Sequence, residues 1–438
     1  MKCKLRQFIH ESGERMAILV NIENGLPMTY PTLYSTKHIR NSKDAFNTIK
    51  SKLNSIKYLY EVCDYLNIAL EERFSRGDWL KSNEIELITN WLKKKKSELD
   101  DAVKIKANSS SDNILVLRPL KAEKVRYGVK IDAPNTMSTK GYINVSEAAK
   151  YIKWLADYLF TSDKSDQMYN RLIANRGAKP ANNQENKAGM GEFQSLEYSQ
   201  EVKVLDTVRP ESSSNPWKGD DVKYRNQLLI NLLFQVGCRK GESLNIKTTD
   251  LVQGVAGIEL NIWRDPDNIN DIRVNQPRVK TLSRTVEIEP RLASMFEQYV
   301  FNHRSNVRAA NKCPYLFISH QNGVKRAVPM SLSAVTKVFQ SLSDAVGFKV
   351  KPHALRHTWN DRFSEYTESV IETGVMTCEE IEESRCWLQG WIQGSDSAKV
   401  YTRRFKAKKA SKLGVKIQEE RVKKQNDIVG NYDEDIPW

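Results

Sequence analysis

No apolar run in the 438-residue chain approaches the roughly 18 residues that cross a bilayer, and the amino terminus, MKCKLRQFIHESGERMAILV, has no long apolar stretch followed by a small-residue cleavage site. A soluble, cytoplasmic protein with no membrane partner is therefore expected. Cysteine is sparse: Cys3, Cys63, Cys238, Cys313, Cys378 and Cys386 lie far apart without a C-x-x-C pair, which excludes a disulfide scaffold and points to reduced, structural thiols. His10, His38, His303, His320, His353 and His357 do not supply a clustered ligand set beside those cysteines, and there is no carboxylate cluster, so neither a metal nor another cofactor is expected. Internal repeats are absent as well.

Positive charge, by contrast, is plentiful. Lys and Arg number 68 against 54 Asp and Glu, a formal charge of +14. An excess of this sign concentrates near polyanions and releases their counterions, so nucleic acid is the default partner. The distribution matters more than the total. From Thr402 to Lys424 ten Lys and Arg face only Glu419 and Glu420, a net +8. A second cluster, Lys93 to Lys96, follows a helical pattern and reads more simply as a solvated helix end.

The hydrophobic pattern predicts a mainly α chain with a small β-sheet, an α+β fold. From Asn41 the residues Ala45, Phe46, Ile49, Leu53, Ile56, Tyr60, Cys63 and Leu66 recur at helical steps. Further helices are predicted at Glu84–Trp91, after a cap at Ser82, and at Ser146–Leu159, with short strands or an extended insertion at Ile114–Leu117 and Val125–Ile131 between them. Glycine, proline and polar residues gather from Gly177 to Gly191 with no apolar period, which marks a linker. Beyond it, helices are expected at Asp221–Phe234 with a glycine stop at Gly237, Arg291–Phe301, Ser333–Leu342 and Thr358–Phe363, and strands at Ile272–Val274, Thr285–Ile288 and Tyr315–Ile318. The expected organisation is a mainly helical region 1–176, a linker 177–204, a mixed α/β domain 205–410 and a charged tail 411–438.

Four segments of the second half carry residues suited to gripping and attacking a phosphodiester. In Gly237-Cys238-Arg239-Lys240-Gly241-Glu242 an arginine at a helix end offers a planar fork of donors to phosphate oxygens. In Pro277-Arg278-Val279-Lys280-Thr281-Leu282-Ser283-Arg284 a lysine on a polar turn can reach into a groove and donate a proton to a leaving oxygen. In His353-Ala354-Leu355-Arg356-His357-Thr358-Trp359 a histidine able to exchange protons near neutrality shares a helix face or an adjacent turn with a second arginine. In Leu388-Gln389-Gly390-Trp391 through Tyr401 a tryptophan precedes a tyrosine by ten residues. Taken singly, each segment also fits a surface arginine, a solvated hairpin tip, a packed pair or a core aromatic.

Together, in the order Arg, Lys, His-x-x-Arg, Trp, Tyr, they resemble the catalytic domain of tyrosine site-specific recombinases, the phage integrase family, over about residues 205–410. The stretch around Pro31–Asn90 resembles, less specifically, that family's helical core-binding domain. The chain departs from the usual pattern in two ways. Gly390-Trp391 stands where Gly-His is commoner, and the interval from Arg356 to Trp391 is long, which leaves Trp387 as a rival for the same position.

The resemblance implies a metal- and ATP-independent enzyme. Tyr401 would attack a DNA phosphorus to give a 3′-phosphotyrosyl intermediate and Lys280 would protonate the leaving oxygen. Arg239 and Arg356 would stabilise the phosphate, with His353 as proton acceptor or phosphate donor and Trp391 as an N–H donor. Glu242 reads as a brace for Arg239. The implied partners are double-stranded DNA recombination sites, a homotetramer on paired sites and an accessory DNA-bending or directionality protein. The protein would associate with the nucleoid when bound, and the tail would dock on a neighbour in trans. The product would be integration or excision of a mobile element. Rival readings are a type IB topoisomerase, built from a similar set of residues, and a catalytically silent DNA-binding protein.

Overall fold

The computed structural model describes residues 2–40, 46–109, 138–160, 162–180, 195–255, 257–265, 268–320, 327–394 and 403–433. The chain divides into two compact units, Met1–Ala188 and Gly189–Trp438. The fold is α+β, mainly helical, with two small antiparallel sheets among the described residues. Among the described residues no helix is long and apolar enough to cross a membrane.

The first unit opens on a hairpin of β1 (Cys3–Ile9) and β2 (Arg15–Asn21), paired from Cys3 opposite Asn21 to Ile9 opposite Arg15. Helices α1 (Thr29–Tyr34), α2 (Phe46–Tyr65), α3 (Leu70–Ser75), α4 (Ser82–Lys93), α5 (Lys96–Ser109), α6 (Thr139–Leu159) and α7 (Lys164–Arg176) follow. The helical period from Phe46 buries Leu53, Ile56 and Leu59 against Ile85, Ile88 and Leu92 of α4 and Val145, Ile152 and Leu155 of α6. Asn144 of α6 ties the three helices together: it accepts from the Ser55 hydroxyl at 3.0 Å and donates to the Leu92 carbonyl at 3.3 Å.

Two details differ from the sequence pattern. Lys81 rather than Ser82 sits at the cap of α4, where its N–H donates to Glu84 at 2.7 Å. Helix α6 begins seven residues before Ser146, at Thr139, capped by Ser138. The lysine cluster is held by its own unit: Lys94 lies over Trp91 at 4.4 Å, and Lys96 pairs with Glu61 at 2.6 Å. The strands expected at Ile114–Leu117 and Val125–Ile131 lie outside the described residues, as does most of the glycine-rich stretch expected as a linker.

The second unit contains α8 (Tyr198–Thr207), α9 (Asp220–Gln235), the single turn α10 (Lys240–Ser243), and a sheet of β3 (Leu251–Gln253), β4 (Ile258–Ile262) and β5 (Arg284–Glu287) in that spatial order. Then come α11 (Pro290–Gln298), α12 (Leu332–Val346), α13 (Pro352–Glu372), α14 (Cys378–Gln389) and α15 (Arg403–Asp433). Leu228, Leu229, Leu232 and Leu233 of α9 centre a core completed by Leu260 and Val286 of the sheet, Phe296 of α11, Phe339 of α12 and Leu355 of α13. Leu196 belongs to this core and α8 starts at Tyr198, so the core and helix of the second unit reach into the span 177–204 expected as a linker.

Two expected strands are absent. At Ile272–Val274 the inward residue is Arg273, which pairs with buried Asp271 at 2.8 Å and donates to the carbonyls of Leu244 and Met330, while Ile272 is turned out. Tyr315–Ile318 is buried but makes only isolated bridges, Lys247 with Tyr315 and Ile318 with Pro329. Segment Thr358–Phe363 is the interior of α13, whose first turn is set by Pro352, a residue pre-shaped for that position.

Candidate active site

Helix α9 ends where Gly237 takes a left-handed conformation, φ +64°. A side chain there would strike the Trp359 ring of α13 within 2.7 Å, so the glycine lets the two helices close on one another. The chain then turns into Arg239. Its backbone N–H and its Nη1 both donate to Glu242, at 3.2 and 3.3 Å, and the arginine side chain stays 23% exposed while the glutamate is sealed.

Glu242 joins the first arginine segment to the lysine turn. Thr281 donates its hydroxyl to Glu242 Oε1 at 2.9 Å, and Arg284 Nη2 donates to Oε2 at 2.8 Å. Burial alone would raise the carboxyl pKa of Glu242, but the guanidiniums of Arg284, Arg356 and Arg239 outweigh it and hold the group ionised below its usual range. Lys280 is exposed at the tip, one residue before buried Thr281.

Arg356 lies at the start of the second turn of α13 and is wholly buried. Its Nη1 donates to the Gly237 carbonyl at 2.7 Å and its Nη2 to the Gln389 carbonyl at 3.2 Å, which fastens the end of α9 to the end of α14. His353, one turn earlier, is exposed on one side and stands perpendicular to His357 with ring centres 4.8 Å apart. Local desolvation, then the charges of Arg356, Arg239 and Lys351, push the His353 imidazole below its ordinary pKa, so it is neutral at pH 7. Burial, then His353 and Arg356, push the neighbouring buried His357 down to about 3.

Helix α14 fills the long interval between Arg356 and Trp391. A reciprocal cap between Thr377 and Glu380 starts it, and Gly390, at φ +61°, ends it. A Cβ on Gly390 would meet Arg284 Nη1, the Leu282 carbonyl and Thr281 Cβ, all at 2.9 Å. In return the Gly390 carbonyl accepts the Leu282 N–H at 2.9 Å, so the lysine turn and the tryptophan loop are laced together by backbone. Trp391 is 6% exposed and its ring centre lies 5.3 Å from the Arg356 guanidinium, whereas Trp387 is 69% exposed.

The described residues thus bring Arg239, the Lys280 turn, the His353–Arg356 turn and Trp391 together, and Tyr401 lies outside them. Sequence reading passed over Arg284 and Thr281. The signal for Arg284 was its phase, since it shares the inward face of β5 with Val286, which is an unusual place for a charge unless the charge is paired.

Residues 196–369 match the phage integrase family. Transposase A from transposon Tn554 of Staphylococcus aureus strain Mu50 is 22% identical over 333 residues, covering 75% of this chain and 78% of that protein, and the transposase of strain N315 matches to the same extent. Among solved structures, XerH site-specific recombinase bound to difH substrate in a pre-cleavage complex is similar at 13% identity and a TM-score of 0.37, over 86% of this chain and 92% of that one. The XerH post-cleavage complex with palindromic difH gives 13% identity and a TM-score of 0.39, over 83% and 97%. Residues 196–369 are thus similar to the phage integrase family, and the four motif segments stand in that family's order and are hydrogen-bonded to one another through Glu242 and Arg356.

Proposed function

We propose that the chain cuts and rejoins double-stranded DNA through Tyr401. The phenolic oxygen attacks the scissile phosphorus, a new P–O bond forms to tyrosine, and the P–O5′ bond breaks to leave a 3′-phosphotyrosyl enzyme and a free 5′-hydroxyl. A free phenol has a pKa of about 10, so its proton must leave during attack, and His353, whose imidazole is held below its ordinary pKa, takes it. Lys280 gives a proton to the departing O5′. Arg239 and Arg356 oppose the charge that builds on the nonbridging oxygens, and the Trp391 indole N–H supplies a further donor. Because the phosphodiester energy is kept in the covalent intermediate, the reverse attack reseals the strand without ATP.

The observation that carries this reading is the lacing of separate segments around two charged side chains, Glu242 and Arg356. Exchange between two duplexes requires four active tyrosines, so the working form is a homotetramer on paired sites, with an accessory DNA-bending or directionality protein setting its outcome. Residues 1–176 grip the core site, 205–410 perform the chemistry, and the tail 411–438 docks on a neighbouring protomer. Similarity to a transposon-encoded transposase supports a mobile element as the DNA that moves.

A suicide substrate tests the reading, because it carries a nick that lets the cleaved end diffuse away. The parent protein is expected to form a covalent adduct that Tyr401→Phe does not form. An adduct that persists in Tyr401→Phe refutes the assignment, and relaxation of plasmids lacking any target site would instead identify a type IB topoisomerase. Absence of any adduct with the element's own flanking DNA would leave a silent DNA-binding protein.

A further inference from the structure

We propose that Arg284 is a positioning residue that sets Lys280 for proton donation; the inference rests on the reading of Lys280 as the acid. Burying a guanidinium costs several kcal/mol unless charge and hydrogen bonds offset it, on the order of the penalties for other desolvated ions. Arg284 is offset on three sides, with its side chain only 2% exposed. Nη2 meets Glu242 at 2.8 Å, Nε donates to the Leu388 carbonyl at 2.7 Å, and Nη1 donates to the Thr281 hydroxyl at 3.3 Å. These partners belong to the first arginine segment, the helix before Trp391 and the lysine turn itself.

The bonds run inward, so Arg284 is not a phosphate ligand. What it controls is the backbone that bears Lys280. Thr281 is gripped from both sides, by Arg284 and by Glu242, and Leu282 is bound to Gly390. Lys280 is the exposed residue immediately before this anchored pair, on a side chain with four rotatable bonds. An ammonium on so flexible a stem reaches one oxygen reproducibly only when its Cα is fixed, and a misplacement of about 1 Å can cost 100-fold in rate. Lysine at position 284 would keep the charge but lose the planar fork that holds three elements together.

The test compares two suicide substrates in single turnover with the full-length protein: one with the natural oxygen and one with sulfur in the bridging 5′ position. An alkoxide, with a conjugate acid near that of water at about 16, needs a proton to leave, whereas a thiolate, at about 8.5, does not. Lys280→Ala is the control and should be slow on oxygen and restored on sulfur. Arg284→Lys is expected to slow the oxygen substrate by about 100-fold, the lower range for general-acid catalysis, and to regain near-parental rate on sulfur. Equal slowing on both substrates while Lys280→Ala is restored would overturn the proposal and leave Arg284 with a structural role. Failure of sulfur to restore Lys280→Ala would overturn the lysine reading, and the inference with it. Thr281→Val removes one hydroxyl with little change in shape. If Arg284→Lys does not fold, Thr281→Val gives the same comparison, with restoration on sulfur supporting the proposal and equal slowing overturning it.

Discussion

Replacing Glu242 by glutamine removes one negative charge from a site where three guanidiniums depend on it. In the native protein the carboxylate accepts from Arg284 at 2.8 Å, from Thr281 at 2.9 Å and from Arg239 at both its backbone and its side chain. Glutamine keeps one acceptor oxygen and presents an NH2 group where the second oxygen stood, so it faces donors with a donor. Arg239 is partly exposed and water can take over its share, but Arg284 is sealed and cannot be rehydrated without opening the sheet edge. Breaking a buried pair costs about 3–5 kcal/mol, and the surviving bonds of Arg284 to Leu388 and Thr281 place this case near the low end, about 3 kcal/mol. Urea unfolding followed by tryptophan fluorescence measures it as a lowered midpoint at unchanged slope. A loss below about 1 kcal/mol, the range of a solvated surface pair, would show that the glutamate is not the counterion of a buried network and would refute the electrostatic account of the site.

Two further outcomes follow from the same geometry. Burial and neighbouring cations push His320 down to about 4 and His357 down to about 3, so the unfolded chain takes up protons first as pH falls below 6.5. Their contribution is therefore complete above pH 6.5 and is lost progressively toward the folded values; a drop of about 1–2 kcal/mol between pH 7 and pH 5, discounted for solvent screening, is expected in a thermal or urea series. Flat stability across that window would contradict it, and the depressed Glu242 adds its own loss only below its ordinary value of 4.5. The two candidate tryptophans separate cleanly as well: Trp391→Ala should destabilise by about 3 kcal/mol or more and abolish cleavage, while exposed Trp387→Ala should stay within about 0.5 kcal/mol, and the reverse order would transfer the role to Trp387.

The elements legible in the sequence are those whose burial follows an apolar period. Leu228, Leu232 and their neighbours announce α9, and Gly237 announces its end. Reading fails where a charged side chain occupies the inward position. Arg273 turns a stretch that alternates like a strand into a loop, because its guanidinium finds Asp271 and two carbonyls inside while Ile272 faces out. The phase of Arg284 marks it as inward, but what it pairs with is not legible, since its partners Glu242 and Leu388 are 42 and 104 residues away. The hairpin at the amino terminus carries a period of two, with Lys4 and Arg6 outward and Cys3 and Leu5 inward, but the exposed Phe8 and half-buried Gln7 blur it. Helix length is under-read wherever the apolar stripe is interrupted, as at Thr139–Val145 of α6 and in the first two turns of α13, which bear His353 and Arg356.

A site that handles a phosphodiester has to assemble like charges before its anion arrives. Arg239, Arg284 and Arg356 repel one another, yet one carboxylate, Glu242, lies close enough to all three to lower its own pKa. The remaining positive charge is met by carbonyls rather than by acids: Gly237 and Gln389 for Arg356, Leu388 for Arg284. Carbonyls stabilise a guanidinium without cancelling its charge, so the site stays cationic for the substrate while its desolvation is offset. Had acids stood in their place, the phosphate would have had to displace them. The polar segments between the apolar helices are therefore where this fold holds its charge, and they are also the segments that hydrophobic patterning does not describe.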